Sequence, residues 1–370
     1  MAMARALALA TSVLTTTPNP RVGCVIVRDG VLVGEGFHTR AGEAHAEVNA
    51  LRCAGELARG ATAYVSLEPC SHTGRTPPCC DALIKAGVAK VVFAGSDPNP
   101  QVCGRGLQRM LDAGICVEGP THPLLADAIN PGFIKRMKQG LPWVRCKLAM
   151  SLDGRTAMAS GDSKWITSAE ARADVQRLRA ASCAIMTGIN TVLADNPSMR
   201  VRPEQLVTGG ITVDANRQPL RVIMDAALRT PAEAAILGEP GKTLIMSSAQ
   251  AIASNPAKYA DTHTQVEEVA VAENGKLDLY AALRSLARNH GCNEVLLETG
   301  PILSGAMIQA GLVDELVVYM APSLLGSDAR PLMQLPGLVH MHDRVKLEII
   351  DVSRIGVDCR ISARVLAKAT

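Results

Sequence analysis

Apolar and polar residues alternate with two different rhythms along this chain, and the switch between them marks out its elements. Over residues 1–14, Met3, Leu7, Ala10 and Leu14 fall on one face at a 3.6-residue period, which predicts an amphipathic opening helix. Only one arginine precedes the apolar stretch, so the segment reads as a helix and not as a cleaved signal. Residues 22–27 and 31–34 are apolar runs around Arg28-Asp29-Gly30, a hairpin signal. A helical stretch over 45–59 closes at Gly60, residues 61–67 read as a strand, and Pro77-Pro78 open a helix that stops at Gly87. A short buried strand over 90–95 follows. Strand and helix alternation of this kind predicts a layered α/β domain with a mixed sheet.

Breakers and the basic run Lys135-Arg136-Met137-Lys138 fill residues 130–142, which places a boundary there: one domain over 1–142 and a second over 143–370. In the second, Thr167-Ser168-Ala169-Glu170 reads as a capping box, with Val175 and Leu178 on the apolar face of the helix it starts. Apolar strands recur at 184–187, 221–225, 243–246, 294–298 and 316–320, and the pair 345–350 and 358–365 closes the chain. Residues 203–219 are polar and glycine-rich, as in a surface loop.

Composition narrows the function. Hydrophobic residues make up 48%, charged residues 20% and aromatics 2% of 370 residues, so the cores are aliphatic and stacking platforms for bases are scarce. Lys and Arg number 14 against 11 Asp and Glu before Trp143, then 24 against 24, so neither half has the basic excess of a nucleic-acid binder. Eleven cysteines, an odd count partly placed in apolar strands, indicate reduced thiols and a cytoplasmic protein. No run approaches the length of a membrane span.

The chemistry concentrates in His45-Ala46-Glu47, Pro69-Cys70 and Cys79. One imidazole and two thiolates form a three-ligand Zn2+ set whose fourth position stays open for water. Glu47, two residues from the histidine, is placed to relay protons between that water and a leaving amine. His45 and Cys79 each open a predicted helix, where free N–H groups and the macrodipole favour anionic ligands. Two alternatives stand beside this reading: His72 could complete a closed structural site, and Cys80 could replace Cys79 as ligand. Asn19, between two prolines, suits either a substrate contact or a plain turn.

The run Pro69-Cys70-Ser71-His72-Thr73-Gly74-Arg75-Thr76-Pro77-Pro78-Cys79, with eight residues between the cysteines, resembles the deaminase half of the bifunctional riboflavin-biosynthesis deaminase/reductase family. Pro18-Asn19-Pro20 with Val22-Gly23, and Asp97-Pro98-Asn99-Pro100-Gln101-Val102, are similar to further marks of that family. Lys147 to Arg155, Gly161 to Thr167, Gly188 to Pro197 and Glu298 to Gly305 resemble its reductase half. The resemblance implies a cytidine-deaminase-like three-layer domain followed by a dihydrofolate-reductase-like α/β domain. It implies His45, Cys70 and Cys79 as Zn2+ ligands and Glu47 as the catalytic acid–base.

For the second domain, the same resemblance implies NADPH contacts from Ala149, Trp165, Thr191, Asp195, Gly300, Pro301, Ile302, Leu303, Ser304, Gly305 and Ala306. It implies substrate contacts from Ser163, Arg179, Met199, Arg202 and Glu298, and Arg179 and Arg202 together could clamp a phosphate. Taken alone, Glu298 to Gly305 is a strand end turning into a helix, a place where a pyrophosphate can meet backbone N–H groups. Thr299 and Pro301 depart from a more glycine-rich turn. The implied substrate is a 2,5-diaminopyrimidinone bearing a ribosylamino 5-phosphate, deaminated on the ring and then reduced by NADPH to the ribityl compound. The expected partner is this small phosphorylated pyrimidine, with neither nucleic acid nor membrane, and a homo-oligomer is left open. Two other classes compete: an RNA-editing zinc deaminase with an accessory domain, which requires a basic aromatic surface, and a non-catalytic zinc module, which requires a closed metal site.

Overall fold

In the computed structural model the chain divides into two compact units, Met1–Leu141 with Thr208–Asp214, and Pro142–Val207 with Ala215–Thr370. Residues 1–366 are described, except 75, 100–102, 207–208, 215 and 260–262. Arg75 and the last three residues of the 97–102 run therefore lie outside the described residues.

The first unit runs α1 (Ala2–Ala10), β1 (Gly23–Arg28), β2 (Val31–Phe37), α2 (Ala46–Ala54), β3 (Thr62–Val65), α3 (Cys79–Ala86), β4 (Lys90–Phe93), α4 (Arg105–Asp112), β5 (Cys116–Glu118), α5 (Pro123–Ile129) and α6 (Pro131–Gln139). Its sheet has the order β2-β1-β3-β4-β5, antiparallel around β1 and parallel from β3 to β5. The pleat sorts the strand residues into two cores. Cys24, Ile26, Ala63 and Val91 pack with Ala46, Ala50, Leu83 and Met110 of α2, α3 and α4. Val25 and Val92 point the other way, onto Met3, Ala6 and Leu7 of α1 and Ala126 of α5. Helices thus cover both faces, giving three layers.

Two glycines of β2 fix the helix that carries the chemistry. A Cβ on Gly34 would overlap the Ala50 carbonyl, and one on Gly36 would lie 2.7 Å from the Ala50 nitrogen. Helix α2 can rest this close to the strand only because both positions lack a side chain.

In the second unit β6 (Trp143–Ser151) is followed by β7 (Arg155–Ala157), α7 (Ala169–Ala181), β8 (Ala184–Gly188), α8 (Ile189–Asp195), β9 (Leu220–Met224), α9 (Ala235–Gly238), β10 (Thr243–Ser247), α10 (Ala249–Ser254), β11 (Thr264–Glu268), α11 (Leu279–Arg288), β12 (Glu294–Leu297), α12 (Pro301–Gln309), β13 (Glu315–Ala321), β14 (Arg330–Pro331), β15 (Leu347–Ile355) and β16 (Asp358–Val365). Nine strands form one sheet, β11-β10-β9-β8-β12-β6-β13-β16-β15, parallel from β11 to β13 and antiparallel at β16 and β15. The carboxyl ends of β8, β9, β12 and β6 open on one side, the usual ligand side of a parallel sheet.

Several boundaries differ from the sequence reading. Helix α1 ends at Ala10, so Leu14 lies outside it. The helix expected over 45–59 stops at Ala54, because Gly55 takes a positive φ of 55° and a 3-10 turn follows. The cap of α7 is Ser168, which accepts the Ala171 N–H, so Glu170 sits one residue too early to complete a capping box. Among the described residues no helix is long and apolar enough to cross a membrane.

Candidate active sites

His45 is the residue that caps α2, and Cys79 opens α3, as their sequence context predicts. Cys70 comes from the loop after β3. The ligand-type atoms of His45, Cys70 and Cys79 all lie within 4.8 Å of one another. His45 Nδ1 is 3.2 Å from the Cys79 sulfur and 3.6 Å from the Cys70 sulfur, while the Cys79 backbone N–H donates to Cys70 at 3.3 Å. The Cys79 thiol and His45 hold Cys70 as a thiolate, down to about 4. Cys79, facing that sulfur and buried, is pushed up instead. Two sulfurs and an imidazole converging so closely form a soft N/S donor set, and a divalent cation removes the repulsion that keeps the second sulfur protonated. The residues fit zinc. Cys80 points away into the core with Leu83 and Met110, its thiol beside Asp81 and pushed up to about 11 by burial. His72 is not part of the convergent group.

Glu47 lies on the first turn of α2, buried, and is pushed up to about 7, first by desolvation and then by the Cys70 charge. It faces a cavity of about 340 Å³ that Asn19, His38, Cys70, His72, Asp97 and Arg136 also line. Asn19 Nδ2 is 3.1 Å from His38 Nε2, and His38 Nδ1 is 3.1 Å from the Ala44 carbonyl. Sequence reasoning passed over His38. Its signal was a histidine just past a strand end, seven residues before the ligand.

In the second unit a cleft of about 1350 Å³ opens at the carboxyl ends of the parallel strands. Of the residues singled out from the sequence, Ala149, Ser163, Arg179, Thr191, Asp195, Met199 and Glu298 line it, together with Gly300, Pro301, Ile302, Leu303 and Ala306. Four do not. Ser304 is buried, its hydroxyl on the Gly300 carbonyl, and a Cβ on Gly305 would overlap the Gln334 carbonyl, so both serve the packing of α12. Trp165 is 70% exposed with Arg172 over its ring, and Arg202 is absent from the cleft lining, its backbone N–H on Gln176.

Arg179 is not a solvated surface charge but one half of a buried ion pair. Its Nε and Nη2 donate to the two Glu298 oxygens at 2.7 and 3.0 Å, and its Nη1 donates to the Arg200 carbonyl at 3.0 Å. The pair holds Glu298 below the usual carboxylate range despite burial. Lys147, which the sequence analysis did not single out, lines the same wall, its pKa lowered by burial and sustained by Glu298. A lysine inside the apolar run of β6 was the signal.

The turn into α12 differs from a bare anion cradle. The Gly300 N–H already donates to Thr191 Oγ1 at 3.2 Å, and Gly188 N–H donates to Thr299 Oγ1 at 3.2 Å. Ile302 and Leu303, in the first turn after Pro301, carry N–H groups with no intrahelical acceptor. Buried Asp225 leaves Oδ1 without a partner in the same cleft wall. Size and first-turn N–H groups fit a dinucleotide.

Residues 1–95 match the family described as the cytidine and deoxycytidylate deaminase zinc-binding region, and residues 142–361 match the RibD C-terminal domain. The riboflavin biosynthesis protein RibD of Escherichia coli (strain K12) is 52% identical over 361 residues, 96% of each chain. That of Haemophilus influenzae is 47% identical over 369 residues, 97% of this chain and 95% of the other. Among solved structures, Acinetobacter baumannii RibD in form 1 superposes with a TM-score of 0.89 at 45% identity, covering 99% of this chain and 98% of that one. A Thermotoga maritima protein described as a diaminohydroxyphosphoribosylaminopyrimidine deaminase/5-amino-6-(5-phosphoribosylamino)uracil reductase gives 0.83 at 29% identity, with coverage of 99% and 98%. The RNA-editing alternative is not favoured, since the second half matches a reductase domain. The convergence of His45, Cys70 and Cys79 beside Glu47, the separate dinucleotide-sized cleft and these matches agree that the chain belongs to the RibD family, bifunctional enzymes of riboflavin biosynthesis that join a zinc deaminase to an NADPH-dependent reductase.

Proposed function

We propose that residues 1–142 deaminate 2,5-diamino-6-ribosylamino-4(3H)-pyrimidinone 5-phosphate and that residues 143–370 reduce the deaminated product's ribosyl chain to ribityl. The observation that carries this reading is the buried Glu47 beside three convergent zinc ligands, in a cavity of about 340 Å³ sized for one ring. Zinc held by His45, Cys70 and Cys79 supplies activation of a water near neutral pH. Glu47, poised at about 7, takes a proton on its carboxylate and returns it to the departing amine. Asn19 and His38, joined side by side, offer one polar edge to orient the ring.

In the second domain NADPH supplies the hydride. Glu298, fixed by Arg179, and Lys147 beside it present a charged, half-desolvated wall to the sugar. Of the remaining reductase assignments, Ala149, Thr191, Asp195, Gly300, Pro301, Ile302, Leu303 and Ala306 stay candidates for cofactor contact and Ser163 and Met199 for substrate contact. Ser304 and Gly305 act through packing. Eleven cysteines with no disulfide among them suit a reducing, cytoplasmic setting.

The test feeds the ribosylaminopyrimidine phosphate and NADPH to the enzyme while ammonia release and NADPH absorbance are followed. Wild type should show both signals in sequence. Glu47→Gln should keep zinc and lose roughly 100- to 10,000-fold in ammonia release, yet reduce pre-deaminated substrate normally. Near-normal ammonia release from that variant removes Glu47 from the role.

A further inference from the structure

Among the described residues five cations line the reductase cleft: Lys147, Arg179, Arg229, Lys276 and Arg330. Arg179 is committed to Glu298, with Lys147 beside the pair. Arg330, on β14, lies against Gly161, in the loop that also carries Ser163. Arg229 sits elsewhere, in the turn that leaves the carboxyl end of β9.

That turn is tied down at several points. Asp225, fully buried, accepts both the N–H and the hydroxyl of Thr230 on Oδ2, each at 2.7 Å. The Leu228 N–H donates to the Asp225 carbonyl at 3.2 Å, and Leu228 itself holds a positive φ of 50°, a strained conformation for a branched residue. From outside, Ser248 donates to the Ala226 carbonyl at 2.8 Å, Tyr259 to the Thr230 carbonyl at 2.7 Å, and Lys258 to the Leu228 carbonyl. Leu228 and Thr230 are buried and Arg229 between them is exposed, so the turn presents Arg229 to the cleft as its charged side chain, beside Ala226 and Ala227.

Arg229 is also aimed. Its Nη2 donates to Asn190 Oδ1 at 3.0 Å, on α8, which leaves the carboxyl end of the neighbouring parallel strand β8. Asn190 is neutral, and among the described residues no carboxylate pairs with Arg229, so its charge is left for a ligand. The turn's own acid, Asp225, is drawn inward by Thr230.

We infer that Arg229, held by Asn190 on a strained turn, reads the 2′-phosphate of NADPH and sets the preference for NADPH over NADH. A dinucleotide binds outside the carboxyl ends of parallel strands, and an arginine close to the end of such a strand accommodates the extra phosphate. The planar guanidinium can give that dianion two parallel charge-assisted bonds while one N–H stays on Asn190. The inference rests on NADPH as reductant and not on the identity of the pyrimidine, so cofactor binding alone tests it.

Calorimetric titration of the full-length protein with NADPH, NADH and 2′,5′-ADP reads it directly, without turnover. Arg229→Gln should weaken NADPH and 2′,5′-ADP roughly 10- to 150-fold and leave NADH within about twofold. Arg229→Lys should recover part of the loss, and Asn190→Ala, which keeps the charge but frees it, should show a smaller loss in the same direction. Equal weakening of NADPH and NADH would mean that Arg229 serves the turn or the shared part of the cofactor, and overturns the assignment. So would unchanged NADPH binding, a preference that follows Lys276→Gln instead, or a wild type that binds NADH as tightly as NADPH.

Discussion

Arg179 and Glu298, 119 residues apart in sequence, form a two-point ion pair at 2.7 and 3.0 Å, with side chains 13% and 9% exposed. Such a pair is expensive to break from one side, because the remaining charge stays buried without its partner. Arg179→Ala should therefore cost about 3–5 kcal/mol in urea unfolding, and Glu298→Gln a comparable amount. The double variant should cost less than the sum, since neither charge is then stranded. Additive losses would show that the two groups act independently. In the reductase assay Arg179→Ala should harm phosphorylated and dephosphorylated substrates alike. A selective loss on the phosphorylated one would restore the phosphate-clamp reading that the geometry does not favour.

The two adjacent cysteines make opposite predictions. Cys79 converges with His45 and Cys70, whereas Cys80 is packed into the core behind them. Metal analysis should find zinc lost in Cys79→Ala and retained in Cys80→Ala. The second variant should be destabilised modestly by the small cavity it leaves. Equal zinc loss from both would place Cys80 in the coordination sphere.

How much of this was legible in the sequence depended on distance along the chain. His45, Glu47 and Cys79 sit at helix starts that prolines, glycines and apolar spacing announce locally, so both their elements and their convergence could be argued. The hairpin around Asp29-Gly30 was equally local, and both residues do take positive φ. Arg179 could be assigned only through the family resemblance, because nothing near it in sequence reveals Glu298. The turn around Leu228 gave no signal, as a leucine with positive φ is recognisable only once Thr230, Ser248 and Tyr259 surround it. Gly305 shows the converse: a glycine in a cofactor-like motif whose freedom is spent on close approach of Gln334.

Asp97 gives the deaminase unit a pH signature. Burial, together with the Glu68 and Cys70 charges, raises its pKa to about 6, against the relief offered by the Asn99 N–H at 2.8 Å. A carboxyl raised in the folded state contributes fully below its ordinary range near 4 and loses that contribution as pH rises through about 6. Asp97→Asn keeps an acceptor for Asn99 and removes the ionisation. The variant should gain stability relative to wild type between pH ~4 and ~6, by at most about 3 kcal/mol, and stay level above. Denaturation curves at several pH values check this, and parallel profiles for the two proteins would show that Asp97 does not titrate in that window.

The division of the chain makes a prediction about a fragment. Every described residue lining the reductase cleft belongs to the second unit, whose own nine-stranded sheet is large enough to bury a core. A fragment starting at Leu141 should therefore fold without zinc and bind NADPH as the whole chain does. The segment Thr208–Asp214 is the exception, because it clusters with the first unit: the Thr212 N–H donates to the Ser12 carbonyl at 2.8 Å, and Asp214 lies 3.5 Å from Arg40. Deprived of that bed, the segment should become the first site of protease cleavage in the fragment while remaining protected in the whole chain. Limited proteolysis with fragment mapping, run beside NADPH titration, separates the two claims. A fragment that is insoluble or blind to NADPH would mean that the reductase core needs the first unit. Equal cleavage of the segment in both proteins would mean that its contacts with Ser12 and Arg40 contribute nothing to its order.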